Sequence, residues 1–446
     1  MTACPIAPLP PMIYTTMKFW RFILFFVGLL LTSPIILAAP DEELLGKSSG
    51  YPVGNWKNWF FEETIRVGTF SNFDQILPHN TLHKAEHPLP LKRTVSEPQI
   101  LYPYKGKICT IDDYLSRQRV TGLLIIKDGE ILVERYQYDR KATDRFISNS
   151  ISKSLVSLAV GFALAEQSIR SLDDKVSAYV PQLKLSAYGE TSIRNLLRMA
   201  SGVHFNENYH ATDDLFRFQK LLFAEHSIAA LLAFNDREAP QGKRFHYASI
   251  ETHLLALALR AATGRTLSAY LSEKLWQPMG AEADAIWSVG TDGVELAYGY
   301  FNATLRDYGR LGHLLANDGY INGKQIVPKD YLLEATDWRK HPRAFAPGRS
   351  TKGYGYHFWT LPGQKRRFAL FGIYGQAIYV DPESKLVLVQ TAVAKTPHVS
   401  TETMGVELAS LWTTLVGQHE RPSLLPAGGK KHDVEIEPAM SSSQTR

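Results

Sequence analysis

Cysteine is almost missing from this chain of 446 residues: there are two, Cys4 and Cys109. Two thiols cannot build a disulfide framework or a cysteine-based zinc site. Cys4 lies ahead of an export-type segment, so a processed chain keeps only Cys109, which reads as a small buried hydrophobe. Basic runs with interleaved aromatics are also missing, and the formal net charge is only +5. No nucleic-acid partner is expected on that ground. There is no internal repeat. Beyond residue 40 no segment is apolar enough to cross a bilayer. His204, His246 and His253 fit no common zinc spacing, so no metal is expected.

What is present begins with "MKFWRFILFFVGLLLTSPIILAAP" from Met17. Lys18 and Arg21 precede the apolar run Phe22–Leu31, Pro34 breaks it, and Leu37–Pro40 offers small residues for cleavage. Residues 1–39 are therefore expected to be a signal peptide, starting at Met17, or an N-terminal anchor. The first reading gives a periplasmic or secreted protein. The second gives a membrane-anchored one, since Phe22–Ala39 is nearly long enough to span. Membrane association is expected through this segment only.

Residues 40–104, rich in Pro, Gly, Asn and aromatics, read as an extended N-terminal arm. "VTGLLIIKDGEILVERYQY" reads as two strands around a turn at Asp128-Gly129. Residues 166–300 read mostly helical, with Thr191 or Ser192 capping "IRNLLRMASG". After Gly353, "YGYHFWTL", "RRFALFGIYGQAIYVDP" and "KLVLVQTAV" read as strands, and "TETMGVELASLWTTLVG" as a closing helix. Residues 419–446 read as a disordered tail. This order predicts an α/β (α+β) domain over 105–418. Early and late strands share one antiparallel sheet flanked by helices, with a mostly helical subdomain inserted between them.

One stretch asks for a chemical reason. "RFISNSISKSLVSLAVGFALAE", 145–166, crowds five serines and Lys153 onto an otherwise apolar helix. Ser150 and Lys153 stand one turn apart on one face, with Asn149 or Ser148 expected as N-cap. A hydroxyl becomes a nucleophile when a neighbour takes its proton, and a lysine can do so once burial depresses its pKa. Further on, "YAS" places Tyr247 and Ser249 just before a helix. Near a cationic lysine the phenol pKa is expected to fall, suiting Tyr247 to relay protons. "GIYGQ", Gly372 to Gln376, reads as glycines inside a strand, with Tyr374 and Gly375 beside a ligand and the Gln376 N–H as an oxyanion donor. Phe205, Tyr209, Phe216, Phe218 and Phe223 are the candidates for the substrate side.

These three elements, in this order, resemble the serine β-lactamase and penicillin-recognising hydrolases. They are most similar to the class C-like branch of esterases and 6-aminohexanoate-dimer hydrolases. The resemblance implies a β-lactamase/transpeptidase-like fold, no cofactor, and a small-molecule ester or amide substrate. It also implies an acyl-enzyme on Ser150, with Lys153 and Tyr247 as general base and acid. The N–H groups of Ser150 and Gln376 would hold the oxyanion, with Tyr374, Gly375 and Ser249 as further substrate contacts. Ile373 stands where many relatives carry a cation for the substrate carboxylate, which shifts weight from β-lactams to esters and amides. A non-catalytic ligand-binding protein and a D-amino-acid peptidase stand as alternatives.

Overall fold

The structure, a computed structural model, describes residues 38–399 and 402–420. Its first part carries α1 (Arg66–Ser71), β1 (His79–Leu82), β2 (Lys92–Arg93), the hairpin β3–β4 (Tyr102–Tyr104, Lys107–Cys109) and α2 (Ile111–Arg117). Next come β5 (Val120–Lys127), β6 (Glu130–Tyr136), β7 (Arg145–Ile147) and α3 (Ser152–Ala165). The block to residue 300 holds α4 (Ile193–Leu197), α5 (Asp214–Ala224), α6 (Ser227–Leu232), α7 (Ser249–Thr263), α8 (Leu267–Leu271) and β8 (Ala285–Ser288). There follow β9 (Phe301–Thr304), α9 (Leu305–Ala316), the hairpin β10–β11 (Tyr320–Ile321, Lys324–Gln325) and α10 (Lys329–Thr336). The chain ends in β12 (Gly353–Tyr354), β13 (Trp359–Thr360), β14 (Phe368–Gly372), β15 (Gln376–Asp381), β16 (Leu386–Ala392) and α11 (Thr403–His419).

β16 pairs antiparallel with β5, and this joins early and late strands in one eight-stranded sheet of order β12-β13-β14-β15-β16-β5-β6-β2. Only the short β2–β6 pairing is parallel. Alternate side chains of β5 serve two cores. Leu124 and Ile126 join the larger one with residues of α3, α7 and α9. Leu123 and Ile125 join a second one beneath α2 and α11, with Tyr114, Leu411 and Trp412. The strand is covered on both faces, which is why "LLII" runs apolar without alternation. The turn after it uses Asp128 and Gly129 at φ 51° and 82°, the left-handed pair that matches strand twist.

Two expectations change. "RRFALFGIYGQAIYVDP" is not one strand but a hairpin: β14 and β15 flank a single turn at Ile373–Gly375. The mostly helical 166–300 block also holds one strand, β8, which joins β1, β9 and β7 in a second, four-stranded sheet. The 40–104 arm is more than an extended covering. It contributes α1, β1 and the buried Trp59, Phe60, Phe70 and Phe73 to the larger core. Of the expected caps, Ser192 is the one that accepts, from Asn195 N. The signal or anchor segment before residue 38, and the tail beyond residue 420, lie outside the described residues.

α9 lies against the sheet through glycines. A Cβ on Gly312 would stand 2.4 Å from Val387 Cγ1, and one on Gly309 would stand 2.6 Å from Leu124 Cδ2. Alanine gains ~1 kcal/mol over glycine in a helix, but overpacking a buried contact costs ~1–3 kcal/mol. Gly312→Ala is therefore expected to lower stability in urea unfolding. A raised midpoint would show that the helix is free to move off the sheet.

Candidate active site

The serine-rich stretch enters α3 through a single 3-10 turn, Asn149–Ile151, that carries Ser150. Neither expected cap forms. Ser148 Oγ donates to Asn149 O at 2.9 Å, and Asn149 Nδ2 donates to Ile373 O at 3.0 Å. Asn149 holds φ 45°, a conformation asparagine tolerates better than most residues. The residue before the candidate nucleophile is thus bent out of the helix and tied to the β14–β15 turn.

The other hydroxyls stitch α3 to its surroundings. Ser152 Oγ donates to Ala297 O at 3.0 Å, Ser154 Oγ donates to His357 O at 2.6 Å, and Ser157 Oγ meets Tyr331 OH at 2.9 Å. Ala297 and His357 lie in segments without helical or strand bonds, and Tyr331 reaches across from α10; a leucine could partner none of these polar groups.

Lys153 is 1% exposed. Its Nζ donates to Ser150 Oγ at 2.9 Å and to Tyr298 O at 2.7 Å. Neither partner is charged, and burial pushes the amine down to about 8, with Glu207 opposing. As pH rises through about 8 the amine therefore becomes unprotonated beside a serine hydroxyl. That is the condition for activating the hydroxyl.

Tyr247 also arrives here. The Lys153 Nζ stands 5.0 Å from its ring centroid, and the ring stacks on Trp359 at 5.9 Å. The expected fall in its pKa is corrected: burial, with the Glu207 charge, pushes the phenol above its ordinary value, and contact with the Ser150 hydroxyl only partly offsets this. The phenol keeps its proton at neutral pH and is suited to donate it.

Ser150 opens into a small cleft that is open to solvent. Asn149, Glu207 and Ser249 line it beside Ser150, and Trp59, Phe60, Tyr209, Tyr298, Tyr300 and Ile373 form aromatic and apolar walls. No arginine or lysine lines it among the described residues. Of the five aromatics expected on the substrate side, only Tyr209 lines the cleft. Phe205 and Phe218 are fully buried in the core, and Phe216 and Phe223 pack on Phe60 and Trp56.

The third motif is shifted. Tyr374, Gly375 and Gln376 do not line the cleft; Ile373 does. Tyr374 turns inward, its OH donating to Phe60 O at 2.7 Å with Arg66 4.3 Å above its ring. A Cβ on Gly375 would meet Met404 Sδ at 2.7 Å. Gln376 braces the sheet end: its Nε2 donates to Ala392 O at 2.7 Å, and its Oε1 accepts from Ala392 N at 3.1 Å. The expected ligand contacts at these three residues are therefore corrected to Ile373. The physical reason is the turn, which swings 374–376 behind the cleft wall.

Ser249 faces the cleft as expected, but it is engaged by a residue the sequence did not single out. Glu207 accepts from Ser249 N at 2.6 Å and from Ser249 Oγ at 2.7 Å. Trp59 and Phe60 were likewise unsuspected, because nothing in "NWFF" marks it as a wall for a distant serine. The three histidines have ordinary partners: His204 meets Glu238, His246 meets Phe205 O, and His253 meets Ser227 Oγ.

A sequence profile of the Beta-lactamase family matches residues 110–408. A 6-aminohexanoate-dimer hydrolase of Paenarthrobacter ureafaciens is 24% identical over 363 residues, which span 77% of this chain and 89% of that protein. Among solved structures, a protein from Bacillus anthracis assigned as a 6-aminohexanoate-dimer hydrolase superposes with TM-score 0.71 at 21% identity. The match covers 81% of this chain and 96% of that one. A family VIII carboxylesterase superposes with TM-score 0.52 at 17% identity, covering 67% and 93%. These two likenesses establish the fold, the β-lactamase/transpeptidase-like arrangement that the resemblance implied.

Asn149 provides a test of the bend before Ser150. Asn149→Ala loses the amide tie and places a methyl side chain at φ 45°, whereas Asn149→Gly loses only the tie. Alanine in this region costs ~1–2 kcal/mol. In urea unfolding Asn149→Gly is expected to be the more stable variant. The reverse order would mean that the residue is not held in the left-handed region.

Proposed function

The chain belongs to the beta-lactamase family of hydrolases, and from that premise we propose that it cleaves an ester or amide through an acyl-enzyme on Ser150. The observation that carries this reading is the 2.9 Å contact between a buried amine and the Ser150 hydroxyl, with no carboxylate hydrogen-bonded to the amine and burial outweighing the Glu207 charge. A neutral amine has one lone pair and two N–H bonds. One N–H is taken by the Tyr298 carbonyl at 2.7 Å, which aims the lone pair toward Ser150.

The steps follow from that geometry. Ser150 Oγ attacks the substrate carbonyl carbon while its proton passes to Lys153 Nζ. The oxyanion is assigned to the backbone N–H groups of Ser150 and Ile373, the cleft-lining residues on the two sides of the reacting carbon. The tetrahedral adduct collapses, and the leaving alkoxide or amine takes a proton from the Tyr247 phenol, which Lys153 resupplies. Water then attacks the acyl carbon, gives its proton to the same pair, and releases the acid and free Ser150.

The cleft's lack of a lining cation favours substrates without a carboxylate next to the scissile bond, and so esters and amides over β-lactams and D-amino-acid peptides. The name of the Paenarthrobacter relative describes an amide substrate, which supports amides beside esters. Export to the periplasm or beyond the cell is also proposed; that reading rests on the sequence before residue 40 alone.

Two outcomes test the mechanism. A fluorophosphonate is expected to label one residue stoichiometrically, and Ser150→Ala is expected to abolish both labelling and p-nitrophenyl ester turnover. Well-folded protein that resists the probe would instead favour a ligand-binding role. Lys153→Ala is expected to cost ~10²–10⁴-fold in kcat/KM. In the wild type the amine must be unprotonated, so kcat/KM falls as pH drops through about 8 and rises to a plateau above it. A flat profile between pH 6 and 9 would exclude Lys153 as the base.

A further inference from the structure

Helix α7 begins without a cap of its own. Its N-cap residue is Ala248, which has no side-chain acceptor for the unpaired N–H groups of the first turn. Yet Tyr247 stands one residue earlier, and a phenol that must reach Ser150 needs a fixed backbone. The missing acceptor comes from another segment. Glu207, in the loop between α4 and α5, takes the Ser249 N–H at 2.6 Å and the Ser249 hydroxyl at 2.7 Å. The same loop reaches the other side of Tyr247, where His246 Nε2 meets Phe205 O at 2.7 Å. Residues 246 and 249 are thus both tied to 205–207, with Tyr247 between the ties.

The Glu207 loop is itself fixed. Asp213 Oδ2 accepts from Asn208 N and Tyr209 N at 3.0 and 2.7 Å, and Tyr209 OH donates to Glu207 Oε1 at 3.1 Å. Glu207 lines the cleft beside Ser150 and is the single carboxylate that does so among the described residues.

We propose that Glu207 is a positioning residue of this site: it caps α7 from outside, so holding Tyr247, and it supplies the negative charge that Lys153 faces. This rests on the serine-hydrolase reading above. The titratable groups around the pair are phenols, one amine and one imidazole. Glu207 faces Lys153 on α3, Tyr188 ahead of α4, Tyr209 on its own loop, Tyr247 ahead of α7, Tyr298 and Tyr300 ahead of β9, and Tyr354 on β12. Burial raises every one of those phenols, so they carry no charge near neutral pH. His357 faces Lys153 from the segment before β13, and burial pushes it down to about 3, so it too is neutral. Burial raises the Glu207 carboxyl itself, while Lys153 and the hydrogen bonds from Ser249 and Tyr209 favour its ionised form; as a carboxylate it is the charge that opposes the loss of the Lys153 proton.

The experiment compares wild type, Glu207→Gln and Glu207→Ala in pH profiles of kcat/KM and kcat for p-nitrophenyl acetate. The glutamine amide oxygen can still accept from Ser249 N but carries no charge. Its acid limb is expected to move to lower pH by about one unit, because an opposite charge near a lysine raises the lysine pKa. Glu207→Ala removes the cap as well, and its plateau kcat is expected to fall at least ~10-fold, within the range of lost acid–base catalysis. An acid limb that stays in place in Glu207→Gln overturns the charge role, and an unchanged plateau in Glu207→Ala overturns the positioning role. If Glu207→Ala does not fold, Ser249→Ala, which removes the hydroxyl tie alone, takes its place. A smaller loss of kcat supports the role and none overturns it. NMR titration of the Lys153 13Cε signal, assigned by its loss in Lys153→Arg, separates the two readings. A lowered Lys153 pKa in Glu207→Gln upholds the charge role even if no ester is turned over, and an unmoved one overturns it even if turnover is normal.

Discussion

An amine held in the protein interior with only neutral partners is the constraint from which the rest of this structure follows. Lys153 has the Ser150 hydroxyl and one backbone carbonyl within bonding distance. Burial makes the ammonium expensive and pulls the amine down to about 8, with Glu207 as the opposing charge, so the free base comes within reach of the working pH. The fold must then supply walls that keep water away, a carbonyl at the right place, and a helix rigid enough to keep a methylene chain pointed at one oxygen. The stitching of α3 through Ser152, Ser154 and Ser157 meets the last need, and the Ala297–Tyr298 segment meets the second.

The walls come from opposite ends of the chain. Trp59 and Phe60 belong to the N-terminal arm, while Ile373 belongs to a hairpin turn late in the sequence. Tyr374 links the two, because its hydroxyl holds the Phe60 carbonyl. The arm is therefore part of the site's enclosure, and the residue that fastens it is one that the strand reading had aimed at the substrate. The same turn that removes Tyr374 from the cleft makes it a fastener.

The sequence was legible where local pattern decides structure. The Asp128-Gly129 turn, the uninterrupted apolar run of β5, the Ser192 cap and the Ser150–Lys153 spacing all follow from rules that act within a few residues. It misled where one residue type serves two conformations. Gly375 fits a strand interior as well as a tight turn, and the turn brings Ile373 to the cleft in place of Tyr374, Gly375 and Gln376. The Tyr247 phenol was misjudged because only the neighbouring amine was counted, whereas burial and the Glu207 charge raise the phenol while burial lowers the amine. Glu207 was invisible for a further reason. An external cap leaves no periodicity, and the sign of its need, an alanine at an N-cap, is easily read as harmless.

The pairing of β5 with β16 carries a consequence for how the molecule is made. β5 comprises residues 120–127, and its partner spans 386–392. Until that late segment leaves the ribosome, one side of the β5–β6 ribbon offers unpaired amides and a bare apolar surface to any passing chain. A product truncated before residue 386 would therefore display an open edge on β5, exposed to pairing with other chains.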